Sequence, residues 1–378
     1  MAATKDTNPS QPTIIIIGAG LTGLLAAQAL KNAYFDEWAE TLPMYNGETG
    51  DLMFKSAVPG ARRITRRGLR EVLSEGLDIA WGRKVTRLDT ESDPEKVKVT
   101  LAGEEGVEEE EVWADYVLGT DGAGSKVREI LFADQENGEE KAKAKRSGFM
   151  IGTCVVDYQD ENVVRKVLEK HPVMAMAMSR GAVGGFGGRE AITWNRVQYT
   201  TGTPPSDLQH TFFWTKIWKG SLSITPDIPR KGPEAVRYLK QSWQGDLSPD
   251  FQSFVDATPE DDTHTQAFID EMGTWIAQPF DNRDGRVTLA GDAGHPMLIL
   301  RGQGFQHAVI DVQNYVQALL EIRDSGKDRK EVVAAYDKDM VERGSKAALQ
   351  ALEEAELAMD AKSVEKMLMV RKGHGRSV

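Results

Sequence analysis

The 378-residue chain is long enough for two domains, or for one domain with a large insertion. Its 46 Lys+Arg against 58 Asp+Glu give a net charge of −12, which argues against a nucleic-acid-binding surface, and 40% hydrophobic with 28% charged residues describes an ordinary soluble globule. The single cysteine, Cys154, excludes an intramolecular disulfide framework and a cysteine-cluster metal site.

Met1 to Thr13 is polar and has no apolar core, so the expectation is a cytoplasmic protein without a secretory leader. The longest clean apolar run, Ile14 to Ile17, is far too short to span a bilayer. Thr13 to Ile17 reads as a buried parallel strand, and Leu21 to Asn32 as a helix. Between 34 and 60, the turn signals Asn46-Gly47, Thr49-Gly50 and Pro59-Gly60 suggest a hairpin. Arg66 to Ser74 predicts a helix and Leu77 to Trp81 a strand. Val85 to Leu88, Val97 to Leu101 and Val107 to Trp113 suggest a small meander, with Glu108 to Glu111 on a solvated edge. Tyr116 to Leu118 predicts another buried strand, followed by a helix from Ser125. Residues 150 to 225 lack helical periodicity and read as antiparallel sheet. Val287 to Ala290 is again strand-like and enters the glycine-dense stretch Gly291 to Gly304, after which the pattern is helical.

Four segments carry chemistry. The first is Gly18-Ala19-Gly20-Leu21-Thr22-Gly23, between a strand and a helix. Gly18 allows a tight turn, Gly20 a close backbone approach to a pyrophosphate, and Gly23 close helix–strand packing. The bland alternative is a glycine-rich turn of any α/β domain. A second strand ending in an acid about 20 residues on is not found. Asp36, Glu37 and Glu40 follow no β-branched run. The second segment holds Arg62, Arg63, Arg66, Arg67 and Arg70 at a helix start, where cations oppose the helix dipole and an anion would relieve them. A solvated basic face is the alternative. The third is Gly119-Thr120-Asp121-Gly122, with Ser125 as N-cap and Arg128 beyond. Asp121 stands at the carboxyl end of a strand, where open sheets bind ligands; a plain Asp-Gly turn before a capped helix is the alternative. The fourth is Gly291-Asp292-Ala293-Gly294-His295-Pro296, with Gly302, Gly304 and Asp311 beyond. Asp292 can accept hydrogen bonds from ligand hydroxyls, whereas a lone His295 is more often structural. No Gly-x-Ser-x-Gly and no His-Glu-x-x-His occurs, so neither a hydrolase triad nor a zinc site is expected.

In this order the four segments resemble the FAD-dependent aromatic hydroxylases, the single-component flavoprotein monooxygenases with the para-hydroxybenzoate hydroxylase fold, and in spelling their fungal members. The resemblance covers most of residues 13 to 350. It implies a mixed α/β (α+β) fold, with a three-layer Rossmann-like FAD-binding domain over 13–33, 61–150 and 275–325. An antiparallel-sheet substrate domain over 34–60 and 151–274 interrupts it, and helices fill 326–378. It implies cofactor contacts at Gly18, Gly20, Gly23, Arg66, Asp121, Gly122, Arg128, Gly291, Asp292, His295, Pro296, Gly302 and Gly304. The Asp121-Gly122 motif is tied to FAD and to NADPH or NADH. The implied reaction is reduction of the flavin by NAD(P)H, formation of a C4a-hydroperoxide with O₂, and oxygen insertion into a small aromatic or polyketide-like substrate. The pattern departs from the family in three places. The chain passes from the first helix almost directly into the hairpin, so an internal segment with the second strand is missing. Leu298-Ile299-Leu300 stands where a proline is usual, and Gln306 where an asparagine is usual. The competing expectations are a degenerate flavoprotein fold with weak or no FAD binding, and a flavin dehydrogenase or reductase.

Overall fold

The computed structural model describes residues 13–18, 20–31, 41–57, 66–102, 109–158, 160, 162–163, 165, 174–179, 181–188, 211–360, 363 and 366–367. Its architecture is the expected mixed α/β one. A three-stranded parallel sheet has the order β1 (Ile14–Ile17), β7 (Tyr116–Gly119), β13 (Val287–Leu289). Among the described residues these short strands pair only with strands remote in sequence. Among the described residues β1 is an edge of that sheet, where a neighbouring second strand is missing from the sequence pattern.

Helix α1 (Leu21–Lys31) follows β1, and α2 (Arg66–Ser74) packs on it. A meander of β4 (Lys84–Asp89), β5 (Val97–Ala102) and β6 (Glu110–Ala114) forms a separate antiparallel sheet. Glu110 and Glu111 lie on β6 and pair with Arg83 and Lys98. Leu77 to Trp81 is not a strand. Gly76 ends α2 with φ 66°, Leu77 N donates back to Ser74 O, and Leu77 and Ile79 pack half-buried on the core without a ladder partner. Their alternation records packing, not pairing.

The hairpin β2 (Thr41–Asn46) and β3 (Leu52–Ala57) joins a seven-stranded sheet of order β12-β8-β11-β10-β9-β2-β3. Its other members are β8 (Lys145–Asp157), β9 (Met174–Ser179), β10 (Ala182–Gly188), β11 (Thr211–Lys219) and β12 (Thr265–Thr274). All pairs are antiparallel except β2 with β9. One face of this sheet is covered by α5 (Gly232–Trp243) and α6 (Pro249–Asp256), over a core of Trp214, Trp243, Phe251 and Phe254. The other face carries Met44, Met176, Met178 and Met272. It packs against Leu298, Leu300, Met367 and the alanines Ala351, Ala355 and Ala358 of the last long helix. That helix, α8 (Arg329–Ala358), follows α7 (Gly304–Ser325), and short helices α3 (Lys126–Phe132) and α4 (Gly138–Ala142) follow β7. No described helix is long and apolar enough to cross a membrane.

Candidate cofactor-binding site

The three parallel strands end level with one another: Ile17 pairs with Gly119, and Gly119 with Leu289. The first, third and fourth sequence segments therefore emerge side by side at the carboxyl edge of one sheet, where such sheets bind ligands. Thr120 fastens the first two, its Oγ1 donating to Ile17 O at 2.7 Å and Gly18 O at 3.0 Å. The turn at Gly18 has φ 112°, and a side chain there would stand 2.5 Å from Thr120 O. A side chain at Gly23 would overlap Gly18 O, so helix α1 seats directly on the turn. Gly20 is the opposite case: it is exposed, and a Cβ there would meet nothing within 4 Å. The turn thus presents bare backbone beneath the start of a helix without acidic residues in its first turn, which suits an anion such as a pyrophosphate.

In the third segment the Asp121 carboxylate accepts from Ser125 Oγ at 2.5 Å, Lys126 N at 2.6 Å and Val127 N at 3.2 Å, while Ser125 Oγ caps Arg128 N at 3.0 Å. Asp121 is half-buried, and Gly122 beside it turns with φ 84°. Arg128, expected as a cofactor contact, turns its side chain inward. Its side chain is enclosed, lying over the Trp275 ring at 4.8 Å. Its Nε donates to Ala142 O at 2.6 Å, Nη1 to Ala293 O at 2.7 Å, and Nη2 to Ala123 O. Burial pulls its pKa down to about 10. The guanidinium is a clamp between the third and fourth segments, because main-chain carbonyls, not solvent, surround it.

The fourth segment begins with a 3₁₀ turn, Gly291–Ala293. Gly291 has φ 61° and lies so close to Thr22 of α1 that a Cβ would stand 2.8 Å from Thr22 Cγ2. Asp292 is exposed at the end of β13. A Cβ at Gly304 would find Asp292 Oδ1 at 3.9 Å and Met297 Cγ at 4.0 Å, so the two ends of the loop meet there. Gly302 is exposed in the left-handed region, at φ 60°, and Gly304 opens α7 with no side-chain cap. Pro296 O accepts from Trp275 N at 3.1 Å and Thr274 Oγ1 at 3.0 Å, pinning the loop to the end of β12.

His295 is likewise enclosed. Its ring is wholly buried, and Nε2 is 2.6 Å from Asp311 Oδ2. The physical reason is a space on α8: at Gly344 a Cβ would stand 2.6 Å from His295 Cβ. Asp311 is itself fully buried and also accepts from Gly291 N at 2.8 Å and Arg343 Nη2 at 2.6 Å. Burial opposes its charge, but His295 and Arg343 outweigh that and hold its pKa below the ordinary range. Arg343 Nη1 is 3.2 Å from Nδ1 of His307, whose pKa is pushed down to about 4 by burial and by His295. Arg66 opens α2, but nothing of its side chain is described; Arg62 and Arg63 lie outside the described residues. Thr120, Thr22 and His307 were not singled out from sequence. The i, i+4 spacing of His307 and Asp311 was the available signal. Among the described residues no cluster of His, Cys, Asp and Glu could hold a metal ion.

A family model described as the FAD binding domain matches residues 63–223 and 244–351, more than half of the chain. The chain belongs to the FAD binding domain family. This FAD binding domain protein is 25% identical over 418 aligned positions to the FAD-dependent monooxygenase phnB of Penicillium herquei, with 97% of this chain and 96% of the relative covered. It is 24% identical to the FAD-dependent monooxygenase cctM of Talaromyces islandicus, covering 89% and 90%. The first alignment is longer than this chain, so that relative carries residues with no counterpart here. Among solved structures, a salicylate hydroxylase substrate complex superposes with a TM-score of 0.70 at 14% identity, covering 96% of this chain and 94% of that one. HpxO of Klebsiella pneumoniae, complexed with FAD and uric acid, gives 0.66 at 17% identity, covering 98% and 96%. These two likenesses establish the shared fold.

Proposed function

We propose that this chain is an FAD-dependent monooxygenase that hydroxylates a small aromatic or polyketide-like substrate, with NADPH or NADH as electron donor and O₂ as co-substrate. The observation that carries the reading is the convergence of Gly18–Gly23, Thr120–Gly122 and Gly291–Asp292 at the level ends of three parallel strands. The open backbone at Gly20 and the exposed Asp292 fit the cofactor: one leaves room for a pyrophosphate, the other offers an acceptor for hydroxyls. The names of the fungal relatives support the reaction class.

Bound FAD supplies the redox and oxygen-activating chemistry. The chain's own residues bind and orient. In this reading the N–H groups of the first turn of α1 face the pyrophosphate, and Asp292 accepts from cofactor hydroxyls. The first N–H groups of α7, after the Gly302–Gly304 turn, would hold a polar ring edge. The substrate would lie between the seven-stranded sheet and the ring.

Purified chain reconstituted with FAD tests this. The expected outcome is bound-flavin absorbance, NAD(P)H oxidation stimulated by members of an aromatic panel, and a product heavier by one oxygen atom taken from labelled O₂. A product that has lost hydrogen without gaining oxygen points to the dehydrogenase reading. Absence of flavin binding supports the degenerate fold, which the edge position of β1 favours.

A further inference from the structure

We propose that Asp311 is a positioning residue for the cofactor site: from inside the protein it caps the Gly291–Asp292 turn and ties that turn to helix α8 through Arg343. The proposal deepens the FAD-binding reading and rests on it.

A 3₁₀ turn, like any helical start, leaves N–H groups without an internal acceptor. Ala290 precedes this turn and supplies no side-chain cap. Asp311 supplies one from the second turn of α7, taking the Gly291 N–H on Oδ2 at 2.8 Å. The same oxygen is 2.6 Å from His295 Nε2, so both ends of the Gly291–His295 segment meet one carboxylate. Its second oxygen takes Arg343 Nη2 at 2.6 Å, and that nitrogen also reaches Asp339 Oδ2 at 3.0 Å. Asp311 and His295 are completely buried. A buried ionic cluster is often no more stabilising than apolar residues of the same volume, so stability alone is a weak reason for it. Placement is the stronger reason. Gly291 holds a left-handed conformation, and the residue it aims is the exposed Asp292. A fixed acceptor behind Gly291 determines where the Asp292 carboxylate stands. Arg343 and Gly344, adjacent on α8, then set where Asp311 and His295 stand.

The test is a double-mutant cycle on the full chain, with Asp311→Asn, Asp292→Ala and the double variant. FAD affinity is read by quenching of flavin fluorescence, and thermal unfolding is read without FAD. If Asp311 acts through the turn, Asp311→Asn weakens FAD binding about tenfold, and the double variant is within about twofold of Asp292→Ala alone. The losses in melting temperature nevertheless add. Losses of affinity that multiply, or an Asp311→Asn chain with wild-type affinity, overturn the proposal and leave a plain core ion pair. If Asp311→Asn does not fold, Arg343→Lys takes its place in the same cycle. It keeps a cation at that site but loses the Nε–H and Nη1–H that hold Arg343 against Asp339 and His307 and so fix the nitrogen on Asp311, and the same non-additivity is expected. Hydrogen exchange gives a readout independent of the cofactor: the Gly291 amide is protected in the wild type and exchanges faster in the variant. A wild-type chain with a protected Gly291 amide and no FAD affinity overturns the functional reading, and the cofactor role of Asp311 with it. Wild-type FAD binding with multiplying losses overturns the proposal alone.

Discussion

Asp337 and His307, on adjacent helices, are shifted in opposite directions by the same cause. Burial raises the Asp337 carboxyl from 3.8 to about 6 and, with the nearby His295, lowers the His307 imidazole from 6.5 to about 4. Asp337 is held by Thr288 Oγ1 and by Asn282 Nδ2 at 2.7 Å, neither of which offsets its loss of water. Between about pH 4 and 6 the folded chain keeps a proton on Asp337 that the unfolded chain has released. That contribution to stability is complete below about pH 4 and is lost as pH rises through 6. His307 works the other way: its contribution is complete above pH 6.5 and is lost as pH falls through 4.

The two contributions therefore oppose each other in one pH window. Each is at most about 3 kcal/mol, and less for His307, whose ring keeps some contact with water. Asp337→Asn should unmask the histidine, so that stability rises with pH between 4 and 6. His307→Gln, which keeps an acceptor for Arg343, should unmask the carboxylate, so that stability falls over the same range. Urea unfolding at half-unit pH steps measures both slopes. Parallel slopes in the two variants would contradict the assignment.

Gly291→Ala should damage the fold and cofactor binding together. A left-handed alanine costs about 1–2 kcal/mol, and overpacking against Thr22 about 1–3 kcal/mol more. Adding Thr22→Ala removes the Oγ1 and Cγ2 that a Cβ would strike. It should recover the packing part and leave the backbone part. Thermal unfolding of the single and double variants separates the two.

Asp292→Ala and His295→Ala should show crossed signatures. Asp292 is exposed, so its loss should leave thermal stability nearly unchanged while weakening FAD binding by a charge-assisted bond, about 1.5–3 kcal/mol. His295 is wholly buried against Asp311 and Gly344, so its removal opens a cavity and strips a donor from a carboxylate. That should cost about 2–4 kcal/mol of folding stability. Equal FAD affinity in the two variants would remove Asp292 from the site.

Arg128→Lys retains a positive charge but has one nitrogen for three carbonyls. With the Ala142, Ala293 and Ala123 oxygens competing for it, the variant should lose about 2–4 kcal/mol. Denaturant midpoints check this. An unchanged midpoint would mean that the carbonyls find other donors.

Much of the frame was legible because its signals are local. Four isoleucines ending at Gly18, an Asp-Gly turn with Ser125 three residues before Arg128, and Val287 entering Gly291 each declare a strand, a turn and a cap within a few residues. The hidden parts depend on distant neighbours. His295 is enclosed because residue 344 is glycine, and Arg128 because residues 123, 142 and 293 turn their carbonyls toward it. Leu77 and Ile79 alternate as a strand would, but among the described residues no partner strand lies beside them. The methionine face was unreadable for the same reason: Met44, Met176, Met272 and Met367 join one cluster only when the large sheet has assembled and the C-terminal part of the chain packs against it.

The parallel sheet also imposes an order in time. Residues of β1 pair with residues 102 positions later, and Arg128 reaches 165 positions further to Ala293. At roughly 10 residues per second, the isoleucine strand leaves the ribosome about ten seconds before β7 and about half a minute before β13. Closing such distant segments is slow even once they exist. During that interval Ile14–Ile17 is an unpaired, uncharged β-prone stretch, the kind of segment that nascent chains bury in chaperones or lose to aggregation. Low yield on recombinant expression would thus arise at the amino-terminal strand, and co-expressed chaperones should relieve it more than added cofactor, which has no complete site to bind until residue 304 has been made.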